Sequence, residues 1–224
     1  MPPKSTSPTR RILIVDDHPM MRMGLVQLIN HESDLKVTAE ANNGRQALEA
    51  ASKDKFDLVL LDISLPDKNG LELTKDLRIL QPDLPVLVVS MHDEMIYAER
   101  VLRAGGRGYI MKQEGGHKIL QGIRQVLAGK VFVSESISAR ILESLSSHDS
   151  ARKNSPVQRL SDREFEVFQH IGQGVTTRDI AERLHLSVKT VEVHRANIKE
   201  KLELKTANEL VRFAVRWVDS GEKI

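Results

Sequence analysis

Five short aliphatic runs, each followed by a stretch of helical periodicity, dominate the first 128 residues: ILIV (12–15), LKVTAEA (35–41), LVLL (58–61), VLVVS (86–90) and GYIM (108–111). The helical patterns lie near 20–30, 44–52, 71–80, 95–103 and 116–128. Strands of unbroken Val, Ile and Leu have no wet face, so they belong in a sheet covered on both sides. Strict alternation of strand and helix predicts a parallel, doubly wound α/β sheet of five strands. All strands of such a sheet end on one edge, and ligands bind beyond that edge.

The residues expected there are chemically coherent. Asp16 and Asp17 follow the first run, Asp62 the third, Ser90 closes the fourth, and Lys112 follows the fifth. Three gathered carboxylates repel one another and call for a cation, and Mg²⁺ suits oxygen ligands of this kind. Lys112 offers a mobile positive charge for phosphate, and Ser90 a hydroxyl donor. The group suits metal-assisted transfer of a phosphoryl group onto Asp62, forming an acyl phosphate. Singly, each residue has a plainer role. Asp17 could cap the first helix ahead of Pro19, Asp62 could open a turn, Ser90 could be a loop hydroxyl and Lys112 a solvated charge. Their agreement on one sheet edge favours a site. Other phosphate chemistries fit poorly. A haloacid-dehalogenase-type phosphatase needs a second acid where Ser64 stands, GGRG (105–108) precedes a strand, and AGK (128–130) lacks the spacing of a phosphate-binding loop.

Beyond Ile141 the pattern changes. Residues 144–158 are polar and aperiodic, and 131–158 are assigned to a linker that includes a short helix near 137–145. Residues 159–220 show only helical periodicity and form a second, small all-α domain. Ser161 and Glu164 make a capping-box pattern ahead of Phe165, Val167, Phe168 and Ile171, and Gly172 with Gly174 would stop that helix. Thr177 starts a short helix, His185 and Leu186 link it to the next, and Ser187 caps a helix over 188–202. Two such helices form a helix-turn-helix. On the second, Val188, Val191, Ile198 and Leu202 would face inward, and Lys189, Glu192, Val193, Ala196 and Asn197 outward. The expected DNA-contacting set is Thr177, Lys189, Thr190, Glu192, Val193, Arg195, Asn197, Lys199 and Lys201, with Arg195, Lys199, Lys201 and Lys205 suited to phosphate. Charge alone argues weakly for DNA, because residues 159–224 hold twelve Lys and Arg against eleven Asp and Glu. A solvated face of mixed charge is the plain alternative.

The whole chain carries a net charge of only +2, no cysteine, a polar and proline-bearing start, and no apolar run of membrane-spanning length. Disulfides and thiolate metal sites are excluded. A soluble cytoplasmic protein without a membrane partner is the expectation that remains.

Asp16 and Asp17, Asp62 with Leu65, Pro66, Asp67 and Gly70, then Ser90, Tyr109 and Lys112 resemble the defining positions of a response-regulator receiver domain over residues 10–130. That resemblance implies that Asp62 accepts phosphate from a sensor histidine kinase. It implies that Asp17, Asp62 and the Ser64 carbonyl hold Mg²⁺, with Asp16 acting partly through water. It makes Ser90 and Tyr109 a switch pair. Gln113 stands where many receivers have proline. Residues 159–220 are similar to the LuxR-type DNA-binding domain, most of all to members reading TVEVHRAN. Many relatives carry lysine in place of Glu192, and an acid there could accept from cytosine N4. The two domains together resemble the NarL/FixJ family. This implies promoter DNA as a partner and a homodimer on phosphorylation or on DNA, and leaves RNA polymerase open as a further partner. No enzyme acting on an outside substrate is expected, only Mg-dependent phosphorylation and dephosphorylation of its own Asp62. The rival reading is a phosphate-independent scaffold or DNA-binding protein whose receiver serves association alone.

Overall fold

The computed structural model describes residues 9–146 and 156–219. The chain divides into two compact units, Met1–Ile141 and Leu142–Ile224.

The first unit alternates β1 (Arg10–Val15), α1 (Pro19–Asn30), β2 (Leu35–Ala41), α2 (Gly44–Lys53), β3 (Leu58–Leu61), α3 (Gly70–Leu80), β4 (Val86–Ser90), α4 (Glu94–Ala104), β5 (Gly108–Met111) and α5 (Gly115–Leu127). The strands form one parallel sheet in the order β2-β1-β3-β4-β5. The five aliphatic runs become the five strands, with β1 starting two residues earlier than its apolar run. Side chains alternate across the sheet. Ile12, Ile14, Leu58, Leu60, Leu87, Val89 and Ile110 face Leu25 and Ile29 of α1 and Ile119, Ile123 and Val126 of α5. Leu13, Val15, Val59, Leu61 and Val88 point the other way and are equally buried. Each such side chain contributes about 1.5–3 kcal/mol by leaving water.

The open edge of β5 is covered by the chain that follows α5. Tyr109 N–H donates to the Phe132 carbonyl and Phe132 N–H to the Arg107 carbonyl, both at 2.9 Å. The Phe132 ring joins the core. This pairing removes an unpaired strand edge, and it places residues of the assigned linker inside the first unit. α6 (Glu135–Ser146) then starts against α4: Ser134 Oγ donates to Glu94 Oε1 at 2.8 Å, Arg140 Nη1 to the Met95 carbonyl at 3.0 Å, and Ile137 is buried.

The cap of α1 differs from the plain reading of Asp17. The N-cap is His18, whose side chain makes no capping bond, and its N–H is taken by Asp16 Oδ1 at 2.8 Å. Asp17 is therefore not used in capping.

The second unit holds a 3-10 turn (Pro156–Arg159) and four helices, α7 (Asp162–Gly172), α8 (Thr177–Arg183), α9 (Val188–Lys201) and α10 (Ala207–Asp219). The capping box forms as expected: Ser161 N–H donates to Glu164 Oε2 at 2.8 Å and Glu164 N–H to Ser161 Oγ at 3.4 Å. Phe165 and Phe168 each lie 5.5 Å from the Trp217 ring, with Leu210 and Ala214 buried beside them. Two local expectations need correction. Gly172 is the last residue of α7, and a Cβ there would stand 2.5 Å from the Ala214 carbonyl of α10, so it also allows close helix packing. Gly174, at φ 75°, is the residue that turns the chain away. Val188 is 49% exposed, because the first turn of α9 projects past the core that buries Val191, Ile198 and Leu202.

Gly70 sets how α3 meets β3, since an added Cβ would lie 2.5 Å from the Asp62 carbonyl and 2.7 Å from Ile63 Cα. Gly70→Ala should destabilise the protein by about 1–3 kcal/mol in urea titration. Gly24→Ala, in open space on α1, should stabilise it by about 1 kcal/mol. Equal effects at the two positions would contradict this packing.

Candidate functional site

The sheet order makes β1 and β3 neighbours, so the residues that follow them meet. Asp62 N–H donates to the Val15 carbonyl at 2.8 Å, which fixes the two strand ends side by side. Asp16 and Asp62 are buried, and Ser90 is fully enclosed. Lys112 reaches across from the end of β5, its Nζ 2.6 Å from Asp62 Oδ2 and 2.8 Å from Asp16 Oδ2. Its side chain is 7% exposed. Lys112 is thus a clamped charge rather than the mobile one expected, because its stem is packed and its head holds two acids.

Asp16, Asp17, His18 and Asp62 each present a ligand atom within 4.8 Å of the others. Asp17 Oδ1 is buried and accepts no hydrogen bond, and among the described residues its one near neighbour of opposite kind is His18 Nδ1 at 2.7 Å. An orphaned buried carboxylate oxygen beside two further acids fits a hard divalent cation with oxygen ligands. The membership of His18 escaped the sequence reading, although it directly follows the acidic pair.

Burial pushes the Asp62 carboxyl up, against the pull of Lys112, and the Asp16 charge pushes it the same way. Burial works to lower Lys112, but the carboxylates of Asp62 and Asp16 outweigh it and raise the ammonium. Three acids against one lysine leave the pocket short of positive charge.

Around the rim, Ser64 Oγ and His92 Nε2 are 2.9 Å apart and join the β3–α3 loop to the β4–α4 loop. Ser64 N–H lies 3.5 Å from Asp62 Oδ1. Burial holds the His92 imidazole below its ordinary value, against the pull of Asp62. Tyr109 is buried, its phenol is pushed up by burial, and its hydroxyl donates to the His92 carbonyl at 2.8 Å. His92 N–H in turn lies 3.5 Å from Ser90 Oγ. Asp67 plays a scaffolding part: it accepts from Gly44 N–H at 2.8 Å and Arg45 N–H at 2.9 Å, anchoring the loop on the N-terminus of α2.

In the second unit, α8 and α9 form the expected pair of helices. Thr176 caps α8, Ser187 caps α9, and His185 between them takes φ 52°. Lys189, Glu192 and Val193 are exposed, and Asn197 and Lys199 are half-buried. Four of the nine predicted contact residues are hydrogen-bonded within the domain. Thr190 Oγ1 pairs with Ser187 Oγ at 2.7 Å. Arg195 Nη1 donates to Thr177 Oγ1 at 3.3 Å. Lys201 Nζ lies 2.6 Å from Oε2 of Glu164, whose side chain is 5% exposed, so its charge is directed at the base of α7. Burial would raise Glu164, but Lys201 and the Ser161 hydrogen bonds bring it below its ordinary value.

The raised Asp62 has a consequence for stability. A carboxyl whose pKa is higher in the folded chain stabilises the fold below its unfolded pKa and loses that contribution as pH rises through the folded pKa. Asp62→Asn should therefore be more stable than the natural chain at pH 7, by about 1 kcal/mol for each pKa unit relieved. The gap should narrow as pH falls toward 4. Urea midpoints across that range check it, and a less stable Asn variant at pH 7 would contradict it.

Comparison with known proteins identifies both units. Residues 12–124 match the response regulator receiver domain, and residues 158–214 match the bacterial regulatory proteins of the luxR family. The oxygen regulatory protein NreC of Staphylococcus haemolyticus is 34% identical over 210 residues, covering 92% of this chain and 97% of NreC. A LuxR-family two-component response regulator from Aurantimonas is 32% identical with a TM-score of 0.57, covering 62% of this chain and 99% of that one. Salmonella RcsB, solved on the rprA promoter with phosphomimetic BeF3-, shares the fold at 24% identity and a TM-score of 0.61, over 92% of this chain and 98% of RcsB. The chain belongs to the NarL/FixJ family of response regulators and is a phosphorylation-controlled regulator of transcription.

Proposed function

We propose that Asp62 is the residue phosphorylated, with a phosphohistidine of a sensor histidine kinase as donor. The observation that carries this is the convergence of Asp16, Asp17, Asp62 and Lys112 at the carboxyl edge of the sheet, from the ends of β1, β3 and β5. A carboxylate oxygen of Asp62 attacks the phosphorus, the P–N bond breaks, and its electron pair leaves with the donor imidazole. Lys112, already at the attacking carboxylate, would neutralise a phosphoryl oxygen. Asp16, Asp17, Asp62 and the Ser64 carbonyl would hold Mg²⁺, which supplies the remaining positive charge when bound. Turnover is limited to this residue of the chain itself.

The signal leaves through the β4–α4 loop. Ser90, on turning to a phosphoryl oxygen, gives up its approach to His92 N–H, and His92 also carries the Tyr109 hydroxyl on its carbonyl. Two residues on, Glu94 holds Ser134 at 2.8 Å and Ser136 at 3.3 Å at the start of α6. A shift of this loop thus reaches the segment leading to the DNA-binding unit. The outcome is a homodimer on paired operator half-sites in the cytoplasm, since a two-fold protein reads a two-fold site. A receiver kept for association alone is not favoured, because its pocket would need neither the orphaned Asp17 nor a doubly bonded Lys112.

Intact-protein mass after incubation with Mg²⁺ and acetyl phosphate tests the acceptor. One phosphoryl adduct is expected, absent from Asp62→Asn. An adduct on the Asn variant would overturn the assignment, and none on either would overturn the phosphorylation reading. Glu94→Ala should speed amide exchange over residues 135–141 about two- to ten-fold, the worth of one net hydrogen bond. Asp62 labelling should be unchanged. Unchanged exchange would remove α6 from the route.

A further inference from the structure

On the exposed face of α9 the one acidic side chain among the predicted contacts is Glu192, and it is not left to itself. Its side chain is 58% exposed, and its Oε2 lies 3.8 Å from Nε of Arg195 one turn on. Arg195 is only 18% exposed. Its Nη1 donates to Thr177 Oγ1 across the gap to α8. The guanidinium therefore sits between the two helices, hydrogen-bonded to Thr177 and facing Glu192. Glu192 keeps free lone pairs, because 3.8 Å is too long for a hydrogen bond that would satisfy it.

A carboxylate only accepts hydrogen bonds. In the major groove guanine and thymine present acceptors, and adenine sets its N6 donor beside the N7 acceptor. Cytosine alone offers an N4 donor without a neighbouring acceptor on the same base. Phosphate is excluded by charge. We propose that Glu192 is a specificity-determining residue that reads a cytosine in each half-site, and that Arg195, anchored on Thr177, positions it instead of gripping a phosphate. This rests on α9 entering the major groove. The neighbouring guanidinium biases where the Glu192 carboxylate sits, which lowers the ordering cost of the contact.

The test uses the full-length phosphorylated chain. Duplexes are enriched from a randomised pool, and single-position variants of the winner are then measured by fluorescence anisotropy at several salt concentrations. One position per half-site should prefer cytosine by about 5- to 150-fold. Glu192→Gln should move that preference toward adenine, and Glu192→Ala should flatten it, with other positions unchanged. Arg195→Ala and Thr177→Val should weaken discrimination at that same position while the slope of log affinity against log salt stays as it was. Loss of a phosphate contact would reduce that slope by about one. Unaltered base preference in Glu192→Ala overturns the reading of cytosine. A reduced slope with unaltered preference in Arg195→Ala overturns its positioning role. Failure of the natural chain to enrich any duplex overturns the DNA-binding reading itself, and this proposal with it.

Discussion

Lys112 holds two buried carboxylates at once, and the order of the sheet exists in a form that lets it do so. With β1 beside β3, Asp16 and Asp62 emerge next to each other, and β4 and β5 follow on the same side to deliver Ser90 and Lys112. One ammonium cannot balance three acids in a water-poor cleft, so the pocket is stable only as a compromise. Its remaining deficit of positive charge is of the kind that a divalent cation with oxygen ligands offsets. The same imbalance couples the site to its surroundings. Any new charge on Asp62 must be met by the nearest movable donors, and Ser90 stands at the head of the loop that carries His92 and Glu94.

Much of this was readable from letters because continuous aliphatic runs leave little choice. Residues 58–61 and 86–90 admit hardly any structure other than a strand buried on both faces, and the polar residue ending each run marks the edge. Which strands are neighbours is a different matter, since pairing depends on crossovers that no local pattern records. The Phe132 seal on β5 was invisible for a related reason. A lone aromatic in an aperiodic stretch carries no signal until the neighbouring backbone is in place.

Charged side chains were the hardest to place. Arginine and lysine have long stems that bury while the head seeks any acceptor in reach. Composition and helical wheel assign Arg195 and Lys201 to phosphate, yet Arg195 is hydrogen-bonded to the Thr177 hydroxyl and Lys201 is paired with Glu164, 18 and 37 residues away in sequence. Only tertiary contacts decide such cases. Exposure is easier to read: Val193 and Glu192 fall on the outward face of the helical wheel, and both side chains are more than half exposed.

These internal pairings bear on control. The DNA-binding unit has nearly equal numbers of acidic and basic residues, and Lys201 is paired within it to the buried Glu164. Few phosphate contacts mean weak attraction to arbitrary DNA, since that attraction grows with each counterion released. A strongly basic domain would occupy DNA whatever the state of the receiver. A near-neutral one needs a second copy to bind well, and pairing raises affinity by two to four orders of magnitude without a new contact. Electrostatic restraint in the DNA-binding unit therefore leaves affinity to depend on multivalency more than on charge.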